Sequence, residues 1–303
     1  MRKTIPGLKA SVFVIITLAV PLLVRADADR TWVSGPGDDA NNCSRAAPCK
    51  TFVGAMVRTN LGGEINCVTS GGFGPVIINK SITIDGTGCF AAILAGNLNG
   101  INIFITAQAD AAKTVRLRGL SINGIGTGLN GIKVTAARKV FIENVVIDGF
   151  GNHGIQVETP DANVYVKDTT IRNVAKTGIN VQPSGSSSLT ALWIERVSLL
   201  NNFTGVFVGK GARATIRNSD IIHHKSGAVA DKGELNIVNC LFTENSSAID
   251  ARTNSTIRLS FVTVINNESG LLASDDGKII SFKNNVVNGN AHDGAPTETI
   301  SPP

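Results

Sequence analysis

The sequence predicts an all-β chain wound as a single-stranded parallel β-helix, with a short capping helix at its N-terminal end. Three observations carry this reading. A polar residue, a glycine and an aliphatic residue recur together at a period near 22 residues. Each recurrence is followed by alternating apolar and polar residues, the period-two mark of a strand with one buried face. A column rich in Gly and Asn, residues that tolerate a left-handed backbone, then closes each run.

Residues 1–26 read as a secretory signal peptide. Arg2, Lys3 and Lys9 precede an apolar run from Ala10 to Val24, and Val24-Arg25-Ala26 fits a small-residue cleavage site. The run is short for a membrane span and contains Pro21. The chain is therefore expected to be secreted or periplasmic and not membrane-spanning once the signal is removed. Cleavage also changes the charge balance. Residues 1–26 carry four basic and no acidic residues, so the formal charge falls from +5 to +1. That removes the electrostatic basis for a nucleic-acid partner.

Residues 27–62 form an N-terminal segment. Within it Pro48 to Asn60 reads as the capping helix, with Phe52, Val53, Met56 and Val57 on or near one face. Such a cap covers the edge that an open solenoid end exposes. Five cysteines agree with an oxidising compartment. Cys43 and Cys49 flank a short polar loop. Cys67 and Cys89 are 22 residues apart, the spacing of adjacent coils, and Cys240 is left over.

Residues 63–290 form the β-helix. Asn99-Gly100-Ile101 recurs at Asn130, His153, Thr177, Thr204, Ser226, Ser247 and Ser269, with spacings of 31, 23, 24, 27, 22, 21 and 22. A period this short excludes helical-pair repeats. One turn column reads Gly124, Gly149, Asn173, Asn201, His223, Glu244, Asn266 and Gly289. A second reads Asn144, Asp168, Arg196, Asn218, Asn239 and Asn284, an interrupted candidate for a side-chain ladder. An outward column, Arg118, Glu143, Lys167, Glu195 and Arg217, alternates in sign at every step, as aligned neighbours on a sheet should. Residues 291–303 are a polar, proline-containing tail with no apolar cap pattern. The C-terminal end is thus open to oligomerisation unless the tail itself covers it.

The G-I-x-V strand followed by V-x-I-x-N-x-x-I-x-x-N resembles the pectin-lyase-like right-handed β-helix superfamily. The stretch from Arg30 to Phe52 is similar to the openings of secreted bacterial members. The resemblance covers roughly residues 30–290 and implies a right-handed coil. It also implies that catalytic groups, where present, stand at the start of the G-I strand. In the polygalacturonases of this superfamily those motifs read N-T-D-G, D-D, G-H-G and R-I-K. Here only His153-Gly154 matches part of one, and no carboxylate occupies the column. Glycoside hydrolysis generally needs two carboxyl groups.

Three readings of function follow. The first is a binder of an extended ligand such as a glycan, or of a cell-envelope surface, on a side face. Two outward stripes are candidates. Phe141, Tyr165 and Trp193 stand on consecutive coils in a chain with 15 aromatic residues, and either stack on sugars or on one another. Lys133, Gln156 and Asn180 follow Asn102 along the G-I strand and offer polar groups to sugar hydroxyls. This stripe turns apolar at Phe207, Val229 and Leu272, suggesting a contact surface nearer the C-terminus. The second reading is a polysaccharide lyase or glycoside hydrolase with a non-standard site at His153 and Glu158. The third is a structural or adhesive envelope protein. No metal site is expected from the cysteines and histidines, and His223-His224 reads as structural. No cofactor is expected, and calcium at Asp38-Asp39, Asp275-Asp276 or Asp231/Asp250 is the only ion these acidic turns suggest.

Overall fold

The structure, a computed structural model, describes residues 1, 28–185 and 189–301; the expected signal peptide therefore lies outside the described residues, Met1 aside. The chain forms a right-handed parallel β-solenoid of about 10 turns. A regular coil has three short strands. In one coil Asn163–Lys167 lies on the first face, Thr170–Arg172 on the second and Thr177–Val181 on the third. Each pairs in parallel with its equivalents on the coils either side. The first face is a 12-stranded sheet, because Ala28–Ser34 and Glu298–Thr299 add a strand at each edge. In two coils the second and third strands run on as Leu120–Ala136 and Val146–Val157.

The register is the one the alternating charges predict. Glu143 stands opposite Arg118 and Lys167, and Glu195 opposite Lys167 and Arg217. Inside, Ile142, Val166, Ile194, Ile216 and Ile237 stack in line, none more than 1% exposed. Burying each such side chain contributes roughly 1.5–3 kcal/mol. The recurrent glycine has a packing cause. A Cβ on Gly154 would sit 2.6 Å from the carbonyl oxygen of Gly178, and one on Gly205 2.4 Å from that of Gly227. The third strand approaches its neighbour too closely there for most side chains.

Both turn columns bend through the left-handed region. Asn144, Asp168, Arg196, Asn218, Asn239 and Phe261 have φ of 50–54°. From Gly149 to Gly289 the other column spans φ of 50–75°. Two positions differ from expectation. Gly124 sits in a longer coil whose left-handed residues are Ile125 and Gly126, and in the last coil Lys283 rather than Asn284 makes the bend. The first column carries only exterior side-chain bonds, such as Asn239 to Asn218 at 2.8 Å and Arg196 to Asp168 at 2.7 Å.

The continuous ladder lies elsewhere, one residue past the other turn. The backbone N–H of Val174 donates to Asn202 Oδ1 (3.0 Å), that of Asn202 to His224 Nδ1 (3.0 Å), and that of His224 to Asn245 Oδ1 (2.9 Å). Asn245 donates to Asn267, Asn267 to Asn290, and Asn290 to Asp293. Asn202, His224, Asn245 and Asn267 are at most 4% exposed. The asparagine amides also donate to core-facing carbonyls, as Asn245 does to Ile221 and Thr243. His224 reproduces this arrangement only with Nδ1 accepting and Nε2–H donating to Leu199 O at 3.1 Å. Burial accordingly pushes its pKa down, against the pull of the Asn202 and Leu199 carbonyls.

Both ends are closed. The helix is Phe52–Arg58, shorter than the expected 48–60 because Thr51 caps it, accepting from Gly54 N while Asp39 holds Lys50 N, Thr51 N and the Thr51 hydroxyl. It buries Phe52, against Phe73, with Ala55 and Met56. Val53 and Val57 point away from this core and are 52% and 61% exposed, so the four apolar residues do not share one buried face. Cys43 pairs with Cys49, and Cys67 with Cys89 across adjacent coils. Cys240 is a buried free thiol, pushed up to about 11 by burial. At the C-terminal end the tail itself covers the last coil, one of the two outcomes the sequence left open. Glu298–Thr299 pairs with Lys278–Ser281, Thr297 bonds Ile279 through its hydroxyl, and Asp293 terminates the buried ladder.

Two outcomes follow from the ladder. Asn245→Ala strips partners from several buried backbone groups and should cost about 2–4 kcal/mol, lowering Tm by roughly 5–10 °C in a thermal melt; an unchanged Tm would mean the ladder carries no stability. His224 binds its proton more weakly folded than unfolded, so stability is lost as pH falls below about 6.5, the unfolded value. His224→Asn, which matches the other rungs, should reduce the drop in Tm between pH 7 and pH 5. Identical drops in both proteins would remove His224 from the acid response.

Candidate functional site

The outward positions of the third strands bring the predicted polar residues together. Register places Lys133 between Asn102 and Gln156, and Gln156 beside Asn180. Their side chains form one connected row across three coils. Lys133 Nζ lies 3.1 Å from Glu158 Oε1, Gln156 Nε2 donates to the same oxygen at 3.4 Å, and Asn180 Nδ2 donates to Gln156 Oε1 at 2.6 Å. Gln156 and Asn180 are each 7% exposed although they point outward. Their mutual bonds fix the orientation of the two amides.

His153 stands at the entrance to the third strand, its backbone N–H donating to Asn130 Oδ1. Its Nδ1 is buried and has no hydrogen-bond partner. Its pKa falls to about 4, chiefly through burial, helped by Lys176 and Lys133 and opposed by Glu158 and the Thr177 backbone. The imidazole is therefore neutral at physiological pH. The residues near it are two lysines and one carboxylate, not the carboxyl pair that glycoside hydrolysis generally uses.

Further along the row the chemistry changes, but not into an exposed apolar strip. Val229 is 1% exposed between its register partners Phe207 and Asp250, and Asp250 is bound by Arg252 at 2.6 Å. Of Phe207, Val229 and Leu272 only Leu272 is exposed, at 41%. The expected C-terminal contact surface is thus interrupted, because Val229 is packed over and the next position is an ion pair.

The aromatic stripe lies on the first face. Phe141, Tyr165 and Trp193 are in register, with ring centroids 4.8 Å apart at both steps and interplanar angles of 6° and 8°. The Arg116 guanidinium covers the outer face of Phe141 at 4.0 Å. The rings occupy one another's faces and show edges to solvent; Trp193, 41% exposed, keeps one face without a ring partner among the described residues. The start of the 182–189 loop bonds to Glu158 through Ser184 rather than covering this stack, and its residues 186–188 lie outside the described residues.

The acidic turns are partly committed to the chain itself. Asp39 holds the helix cap and Asp250 pairs with Arg252. Among the described residues no three His, Cys, Asp or Glu side chains gather into a group that could hold a metal. Also among them, no helix is long and apolar enough to cross a membrane. The two disulfides fit an extracellular protein.

Coil geometry and outward row together define a right-handed parallel β-helix with a pre-organised polar side face. The chain belongs to the right-handed β-helix family, whose model matches residues 65–192 and 185–298. Among solved structures it is similar to the pectate lyase Pel9A, with 16% identity over 84% of this chain and 75% of that one and a TM-score of 0.57. It is also similar to the A-module of the mannuronan C-5 epimerase AlgE6 from Azotobacter vinelandii, with 16% identity over 90% and 87% and a TM-score of 0.52. These likenesses establish the fold. No curated protein matches the sequence.

The stack itself yields a stability test. Each aromatic pair is worth about 0.5–1.5 kcal/mol beyond burial. Tyr165→Ala breaks both pairs and should lower the urea midpoint more than Trp193→Ala, which breaks one. Equal or absent effects would show that the rings contribute no mutual stacking energy.

Proposed function

We propose that the protein is exported and binds an extended glycan along the third face, over Lys133, Gln156 and Asn180, with Glu158 orienting the row. The observation that carries this is the bonded chain from Lys133 through Glu158 and Gln156 to Asn180. It aligns amide donors and acceptors at the strand spacing of about 4.8 Å. Planar amides of this kind donate and accept at once, matching sugar hydroxyls, which do the same. Their side chains are already held by one another, so binding costs little rotamer entropy. The likeness to a pectate lyase and a mannuronan epimerase supports a polysaccharide as the ligand class. The aromatic stack is a narrower platform, since only Trp193 keeps a face that no other ring or guanidinium covers among the described residues.

His153 favours a second reading, cleavage of the bound glycan. A neutral imidazole beside Lys133 and Lys176, two cations that would neutralise a sugar carboxylate, is what supports this reading.

A polysaccharide panel read for binding and for product release separates the two. Binding without products is expected, with Gln156→Ala and Asn180→Ala each weakening it roughly 3–10-fold, the worth of one or two hydrogen bonds. Undiminished binding in the double variant would sink the proposed face. Release of unsaturated ends, lost in His153→Ala, would establish the second reading instead.

A further inference from the structure

The row of outward side chains continues past Lys133 towards the N-terminal end, through Asn102 to Ile77. There it enters a cleft of ≈ 470 Å³ between the capping helix and the early coils. That volume lies within the range of small-molecule sites. Its walls are aliphatic: Val53 and Val57 from the helix, Ile77 and Leu98 from the coils, with Asn99 and Asn102 at the polar end. All four aliphatic residues are more than half exposed, Val53 at 52%, Val57 at 61%, Ile77 at 62% and Leu98 at 56%.

A helix that merely seals a solenoid end needs one apolar face, and this one has it in Phe52, Ala55 and Met56. Val53 and Val57 make a second apolar strip, one helical turn apart, turned towards Ile77 and Leu98. Apolar side chains gathered around a concave site, rather than scattered singly, mark a binding surface. The polar end is also unfinished. Asn99 Oδ1 accepts from Asn130 at 2.8 Å, but Asn102 Oδ1 is buried and has no partner. A buried acceptor without a donor costs free energy that a ligand hydroxyl would recover.

We propose that this cleft holds an apolar group, an alkyl chain or an aryl ring, carried at one end of the glycan that lies along the row. Asn102 belongs to both features: it lines the cleft and stands next to Lys133 in the row. The inference rests on the glycan reading for what is attached to the apolar group. Asn102 Oδ1 accepts from the first hydroxyl beyond that group.

The test uses the mature chain and 1-N-phenylnaphthylamine, a dye that fluoresces when it enters an apolar site. Saturable binding is expected, displaced by octyl glucoside, octyl galactoside or octyl mannoside below their micelle concentrations and not by the free sugars. Val57→Glu and Ile77→Glu, both at exposed positions, should each weaken dye binding by about tenfold or more, since each puts a charge in the apolar cleft. Asn102→Ala should weaken the octyl glycosides more than it weakens the dye. Circular dichroism confirms that each variant folds. Absence of saturable binding, or binding indifferent to both glutamate variants, overturns the proposal. So does a dimer by light scattering that either glutamate variant dissociates, because a second copy would then fill the cleft. Gln156→Ala and Asn180→Ala should leave dye binding unchanged, so failure of the glycan row and failure of the cleft are read separately.

Discussion

Each coil must set its amides and carbonyls one strand spacing from those of its neighbours, in register and in parallel. Everything else in the molecule depends on this requirement. Because the register does not slip through the regular coils, a residue type needed at one position is needed at the same position in the next. The chain is thereby resolved into columns, and each column solves one physical problem. Aliphatic columns through Val140 and Ile142 fill the interior. The glycine column lets the third strand come close to the carbonyls of the next coil. Left-handed columns turn the corners.

Polar groups at the inner side of a corner are the costliest part of this design. The bend after Asn201 or Asn266 points the backbone N–H of the next residue along the solenoid axis, where no strand ladder meets it. The Asn202–His224–Asn245–Asn267–Asn290 column supplies the missing acceptors. One histidine serves among asparagines because Nδ1 and Nε2–H reproduce the acceptor and donor of the amide. That substitution carries a cost which asparagine does not: the rung works only while the ring is neutral. The ladder ends at Asp293, so the tail is part of the fold.

How much of this was legible follows from what a column looks like in one dimension. The outward charges Arg118, Glu143, Lys167, Glu195 and Arg217 reveal the register because alternation of sign has no other ready cause. The Cys67–Cys89 bridge and most of the left-handed corners follow from the same alignment, while Cys43–Cys49 is legible from its short loop. The buried ladder was missed although its signal was present. Asn201-Asn202, His223-His224, Glu244-Asn245 and Asn266-Asn267 are adjacent polar pairs one period apart, and only the first member of each pair was recognised as a turn residue. A polar residue after a turn ordinarily faces water, and here the left-handed bend sends it inward. Alternation alone likewise marks Val229 as outward without showing that its neighbours cover it. The row at Lys133, Gln156 and Asn180 was visible as a stripe, but not its internal bonding, which depends on the reach of Glu158 from a flanking position. The second apolar strip of the helix was hidden because Val53 and Val57 seemed part of the sealing face.

The distinction between structural and functional columns rests on uniformity. A column that maintains the coil repeats one kind of residue, since each coil poses the same problem. The aromatic stack is uniform over three coils, where its rings cover one another, although its column continues as Thr215, Asn236 and Arg258. Along the third face the outward column instead reads Ile77, Asn102, Lys133, Gln156, Asn180, Phe207, Val229, Asp250 and Leu272. No packing requirement asks for that order, because strands stacked at one spacing would be equally well served by a uniform set. Under the glycan reading proposed above, the order from apolar cleft through amide and cation would suit a ligand with distinct ends. The same regularity that makes the solenoid stable leaves its outward columns free to vary, and on the third face Asn102 joins the cleft to the bonded row.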